Sequence, residues 1–139
     1  MKDNFTSFSF KSEIVKGIKE LGFKIPTPIQ KKVIPHLLFS KQDLIASAQT
    51  GTGKTAAFGL SLLHLTDVDD KSIQSLILCP TRELCLQIGK DLSMYSKYLK
   101  GVSVLSVYGG EKIEKQIKYL KKNPQIIVGT PGRTKDLIK

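Results

Sequence analysis

The chain has 139 residues, 40% of them hydrophobic, enough for a single domain to bury about two thirds of the surface of its unfolded state. Lys and Arg number 22 against 12 Asp and Glu, a formal net charge of +10, which either draws polyanionic partners, nucleic acid first, through counterion release or describes a lysine-rich solvated surface. No apolar run reaches the roughly 18 residues a membrane span needs, the start MKDNFTSFSF lacks the order of a secretion signal, and Cys79 and Cys85 are too few for a disulfide framework or a four-ligand zinc site. These features predict a cytoplasmic chain with no membrane partner and two reduced thiols packed as small hydrophobes.

In chain order, Ser12 precedes a helical face of Ile14, Val15, Ile18 and Leu21 that Gly22 closes. A second helix is predicted from Thr27, with Pro28 in the first turn, toward Leu38. Leu44-Ile45-Ala46 reads as a short strand, followed by the loop AQTGTGKT at 48–55 and then by a helix over AAFGLSLLHL. Next come a strand at 73–79, a helix from Thr81 to about Tyr98, a strand at 102–108, a helix after Glu111 and a strand at 126–128. The acidic TDVDD at 66–70 and the lysines at 118–122 read as solvated connectors. Strands alternating with helices predict an α/β fold with a parallel sheet covered on both faces.

The pattern G-x-x-x-x-G-K-[ST] gains meaning where it joins a strand to a helix, and here only its first position departs, with Ala48 in place of glycine. Backbone N–H groups from Gly51 to Thr55 would face phosphates together with the positive end of the helix. Lys54 would reach the β- and γ-phosphates, and the Thr55 hydroxyl would ligate Mg²⁺. The competing reading is an ordinary glycine turn that caps a helix.

A-x-T-G-x-G-K-T with alanine first resembles motif I of the DEAD-box RNA helicases. GFKIPTPIQ at 22–30 is similar to that family's Q motif, and Phe5 stands 17 residues before Gly22, where the family has an aromatic. PTREL at 80–84 resembles motif Ia, Gly109-Gly110 the glycine doublet and TPGR at 130–133 motif Ib. The resemblance spans residues 1–139, implies a P-loop RecA-like domain and implies ATP, with Mg²⁺, as cofactor. Its nucleotide site would comprise Phe5, Ile25, Gln30, Ala48, Gln49, Thr50, Gly51, Thr52, Gly53, Lys54 and Thr55, with Lys54 and Thr55 serving catalysis.

A Gln amide donates and accepts at once, which suits an adenine edge, and Phe5 would stack on the base. Thr27 and Gln30 are also spaced as a capping box, so Gln30 is either a base reader or a helix cap. Pro80, Thr81, Arg82, Gly109, Gly110, Thr130, Pro131, Gly132 and Arg133 would track an RNA backbone along the carboxyl edge of the sheet, by resemblance and without reading sequence. The only arginines are Arg82 and Arg133, each beside a proline turn, and the guanidinium fork suits phosphate. Each of these motifs has a structural alternative. Thr130-Pro131 also reads as a helix cap, Gly109-Gly110 as a turn, and Arg82-Glu83 as an exposed helix start.

No DEAD sequence and no strand ending in Asp-Glu occurs in the chain. The resemblance assigns such residues to Mg²⁺ and water, and assigns a second RecA-like domain an arginine finger. The chain is thus expected to be the N-terminal part of the first RecA-like domain of an ATP-dependent RNA helicase, incomplete at its C-terminus, with the Q-motif segment at 5–30. Alone it is expected to bind ATP and RNA weakly without turnover. The alternative is a non-catalytic nucleotide- and RNA-binding module. A GTPase would need a guanine-reading motif such as N-K-x-D, which is missing.

Overall fold

Two compact units divide the chain: Met1–Leu65 with Met94–Leu99, and Thr66–Ser93 with Lys100–Lys139. The computed structural model describes residues 4–138.

The first unit is helical. Asn4 caps a 3₁₀ turn at Phe5–Phe8 by accepting from the Thr6 N–H at 3.1 Å, and the turn buries Phe5 and Phe8. Helix α1, Ser12–Glu20, buries Ile14 and Ile18 and ends where Gly22 takes φ 86°. Helix α2, Pro28–Phe39, begins at the cap Thr27 with Pro28 in its first turn, as predicted, because a proline there sacrifices an N–H that has no helical partner anyway. Helix α3, Lys54–Leu65, packs on α2 and buries Ala56, Ala57, Leu60 and Leu63. A fully buried leucine of this kind contributes about 2 kcal/mol.

The strand predicted at Leu44–Ala46 does not form. Among the described residues that segment pairs with no strand, and Ile45 is fully exposed. Apolarity can nominate a strand, but only a hydrogen-bonding neighbour makes one.

The second unit carries the sheet. Strand β1, Ser75–Leu78, leads to helix α4, Arg82–Tyr95, whose last two residues lie in the first unit. Strand β2, Val104–Val107, leads to helix α5, Ile113–Leu120. Strand β3, Ile126–Gly129, leads to helix α6, Pro131–Ile138. Among the described residues the sheet is parallel with order β1-β3-β2, so the last strand in sequence is central. Its Ile126, Ile127 and Val128 are all buried, the continuous apolar run of a strand covered on both faces. Leu78, Gly129 and Val107 stand in one register row. The chain therefore leaves all three strands at the same edge.

Two sequence expectations are refined here. Lys118 belongs to α5 rather than to a connector, whereas 66–70 is indeed irregular. Residues 131–138 form a helix that begins as the cap reading of Thr130-Pro131 requires, with the Thr134 N–H donating to the Thr130 carbonyl at 3.0 Å. Cys79 and Cys85 are free and buried; burial, reinforced by Cys79, pushes the Cys85 thiol up to about 11.

Candidate functional site

In the first unit the glycine loop enters α3 directly at Lys54. Gly51 and Gly53 adopt φ of 81° and 82°, in the left-handed region that glycine occupies without a Cβ penalty. Gly53 is constrained a second way, since a Cβ there would lie 2.3 Å from Gln30 Nε2. The loop is held internally by Thr52 Oγ1 donating to the Gln49 carbonyl at 2.6 Å. Lys54 Nζ donates to the Ala48 carbonyl at 2.7 Å, which places the ammonium inside the curl of the loop.

Thr27 and Gln30 form the capping box, and the same side chains also grip the loop. Gln30 Oε1 accepts from the Thr27 N–H at 2.9 Å while its Nε2 donates to the Gly53 carbonyl at 3.1 Å. Thr27 Oγ1 donates to the Thr52 carbonyl at 2.7 Å. Of the two readings of Gln30, base reader or helix cap, the cap is formed, and the same buried amide also straps the loop.

Phe5 is 5% exposed and packs against Phe8 and Phe23, with ring centroids 6.0 and 5.7 Å away. It lines a cavity of about 370 Å³ with Phe23 and Lys24, whereas Ala48 and Thr52 line a separate one of about 260 Å³ with Pro28 and Ile29. Ile25 is exposed. The aromatic and the loop thus sit on different cavities of this unit. Thr55 lies in the first turn of α3, half-buried. No group of three or more His, Cys, Asp or Glu that could hold a metal occurs among the described residues.

In the second unit the three strand exits bring the remaining expected residues to one edge. After β1 come Pro80, Thr81 and Arg82; after β3, Thr130 to Arg133; after β2, Gly109 and Gly110. Thr81 caps α4 by accepting from the Leu84 N–H at 3.2 Å. Arg82 is exposed, its guanidinium 4.9 Å from the centre of the Tyr108 ring, and Gly110, at φ 91°, approaches Arg82 Nη1 closely enough that a Cβ would stand 3.3 Å away. Arg133 behaves differently. Half-buried, it turns Nη1 inward onto the Glu111 carbonyl and Gln116 Oε1, both at 2.9 Å.

Gln116 and Tyr108 were not singled out from sequence. The signal for Gln116 was available, because it shares the inward side of α5 with Ile113 and Leu120 and is 1% exposed; a polar residue on an apolar stripe asks for partners. Glu111, hydrogen-bonded to Lys115 and Gln116, has its carboxyl held below the usual range.

A glycine loop entering a helix, with the helix's first lysine bonded back to the loop, and parallel-strand exits gathered at one edge are features of the class of P-loop nucleotide-binding folds. The chain belongs to the DEAD/DEAH box helicase family, whose model matches residues 27–139. It is 54% identical over 134 residues to the ATP-dependent RNA helicase CshA of Listeria monocytogenes, covering 96% of this chain and 25% of that protein. Against the ATP-dependent RNA helicase DeaD of Escherichia coli it is 44% identical over 135 residues, covering 97% and 21%. Among solved structures it matches a DEAD box protein of Methanococcus jannaschii with TM-score 0.90 and 41% identity, covering 96% of this chain and 36% of that one. Dbp5 of S. cerevisiae bound to RNA and ADP BeF₃ matches with TM-score 0.87 and 35% identity over 98% of this chain and 34% of that one. The chain spans about a quarter of the length of the curated relatives it matches.

Proposed function

We propose that residues 1–139 are the N-terminal portion of the first RecA-like domain of a cytoplasmic ATP-dependent RNA helicase, and that this portion supplies the ATP loop and part of an RNA track. The observation that carries the reading is the double grip of Thr27 and Gln30 on Thr52 and Gly53. It couples the base-reading segment mechanically to the phosphate loop, so that one ligand would bear on both.

The residues fit a nucleotide. The left-handed glycines allow close backbone approach, and the Ala48 carbonyl that now holds Lys54 is an acceptor a phosphate oxygen would replace. Ala48 to Thr55 would hold the phosphates and Thr55 would ligate Mg²⁺, which when bound neutralises phosphate charge. Ile25 and Gln30 would meet the adenine, with Phe5 supplying the stacking face once its packing against Phe8 and Phe23 opens. Thr81, Arg82, Gly109, Gly110, Thr130, Pro131 and Gly132 would follow the sugar-phosphate backbone, flanked by Pro80 and Arg133. A second RecA-like domain would complete the helicase.

With no Asp-Glu strand in its sequence, this chain by itself should bind adenine nucleotide and single-stranded RNA weakly and turn over no ATP. The test is equilibrium binding of a fluorescent adenine nucleotide with Mg²⁺, beside a guanine analogue and a Gln30→Ala variant. Adenine preference lost in the variant supports the reading; equal affinity for both bases refutes Gln30 as base reader, and measurable RNA-stimulated turnover refutes the inactive-portion reading.

A further inference from the structure

We propose that Gln116 is a positioning residue for the RNA-binding edge, and that Arg133 works through it rather than on phosphate; this rests on the RNA reading above. Gln116 is 1% exposed on α5. Its Nε2 donates to the Tyr108 carbonyl at 3.0 Å and to Glu111 Oε2 at 3.2 Å, while its Oε1 accepts from Arg133 Nη1 at 2.9 Å. That same arginine nitrogen donates to the Glu111 carbonyl at 2.9 Å.

One buried amide therefore touches the residue before the glycine doublet, the residue after it and the arginine of the TPGR turn. The doublet itself is exposed, and no backbone hydrogen bond of Gly109 or Gly110 outside helices and strands is seen among the described residues. Its place relative to the start of α6 is set by Gln116 and Arg133 acting as a cross-brace. The brace also bears on Tyr108, whose ring lies under the Arg82 guanidinium, so all three exit loops of the sheet connect to it. Both hydrogens of Arg133 Nη1 are spent on Glu111 and Gln116, which takes up the end-on pair of Nη1 and Nη2 and leaves Nε with Nη2 as the one fork a phosphate would meet.

The experiment uses the 139-residue chain with Arg133→Ala, Arg133→Lys, Gln116→Leu and the Gln116→Leu/Arg133→Ala double variant. The probe is a 12-mer oligouridylate, its affinity measured across a KCl series. Each variant should lose three- to tenfold in affinity, the double no more than the worse single, and Arg133→Lys as much as Arg133→Ala. A lysine at 133 that retains wild-type affinity, or a double variant that loses the product of the two singles, overturns the proposal, since either makes Arg133 an independent phosphate contact. Should Gln116→Leu fail to fold, the comparison of Arg133→Lys with Arg133→Ala decides alone.

Wild-type chain that binds no RNA defeats the RNA reading rather than the brace. The brace is then decided by amide hydrogen exchange, which needs no ligand. Faster exchange in Arg133→Ala at both 109–112 and 131–134, with helix α1 unchanged, sustains it; a change at one loop only overturns it.

Discussion

Gln30 concentrates the residue-scale logic of this protein. One side chain closes a helix cap and ties down the glycine loop, so its removal should register twice. Gln30→Ala is expected to lower unfolding free energy by about 1–2 kcal/mol, the usual loss for a cap together with a buried hydrogen bond; an unchanged urea midpoint would show that the strap contributes nothing. Gly53→Ala should be worse for the loop than for the fold. The new methyl would have to displace Gln30 Nε2 at 2.3 Å while the backbone holds a left-handed angle, so nucleotide affinity should fall more than tenfold with circular dichroism retained. Sequence could state that Thr27 and Gln30 are spaced as a box, since that is local chemistry. It could not say that Gln30 reaches Gly53, a contact across 23 residues that only the packing of α2 on α3 creates. For the same reason it left Phe5 open to a base, where the structure buries it against Phe8 and Phe23.

At the scale of elements, the strands and helices after residue 73 were legible because each is punctuated by glycine, proline or a capping hydroxyl, and β3 announced itself by an unbroken apolar run. Leu44–Ala46 is apolar too but has no strand partner among the described residues, so apolarity misled there. Helix α4 illustrates what burial does to chemistry. Cys85 faces β2 and β3, its Sγ 3.2 Å from the Val128 carbonyl, and its thiol is raised to about 11 chiefly by loss of solvent. It should resist iodoacetamide at pH 8 in the folded chain and react at the rate of a free thiol in urea; rapid labelling of the native protein would contradict the buried site. Cys85 is thus packed as a small hydrophobe.

Over the whole molecule, charge and pH act through separate groups. His64 accepts the Lys11 N–H at 3.1 Å through Nδ1, and burial first, then the nearby Lys11 charge, lowers its pKa from the ordinary 6.5. The folded state therefore favours neutral imidazole. Below about pH 6.5 the unfolded chain takes the proton more readily, so stability should fall as pH drops toward the lowered folded value and level off beneath it. Thermal unfolding of His64→Gln should lack that portion of the slope. The order β1-β3-β2 has a further consequence, for synthesis. Two strands made early share no hydrogen bond with each other among the described residues, and both wait for residues 126–129, which are made after them. The sheet can only close by insertion of the latecomer between them, a non-local event that slows folding and leaves unpaired edges exposed in the interval. Ribosome-tethered chains cut at residue 115 should show no amide protection across 75–78, and chains that expose residue 139 should gain it in one step; until then the growing protein is the kind of client that a chaperone holds.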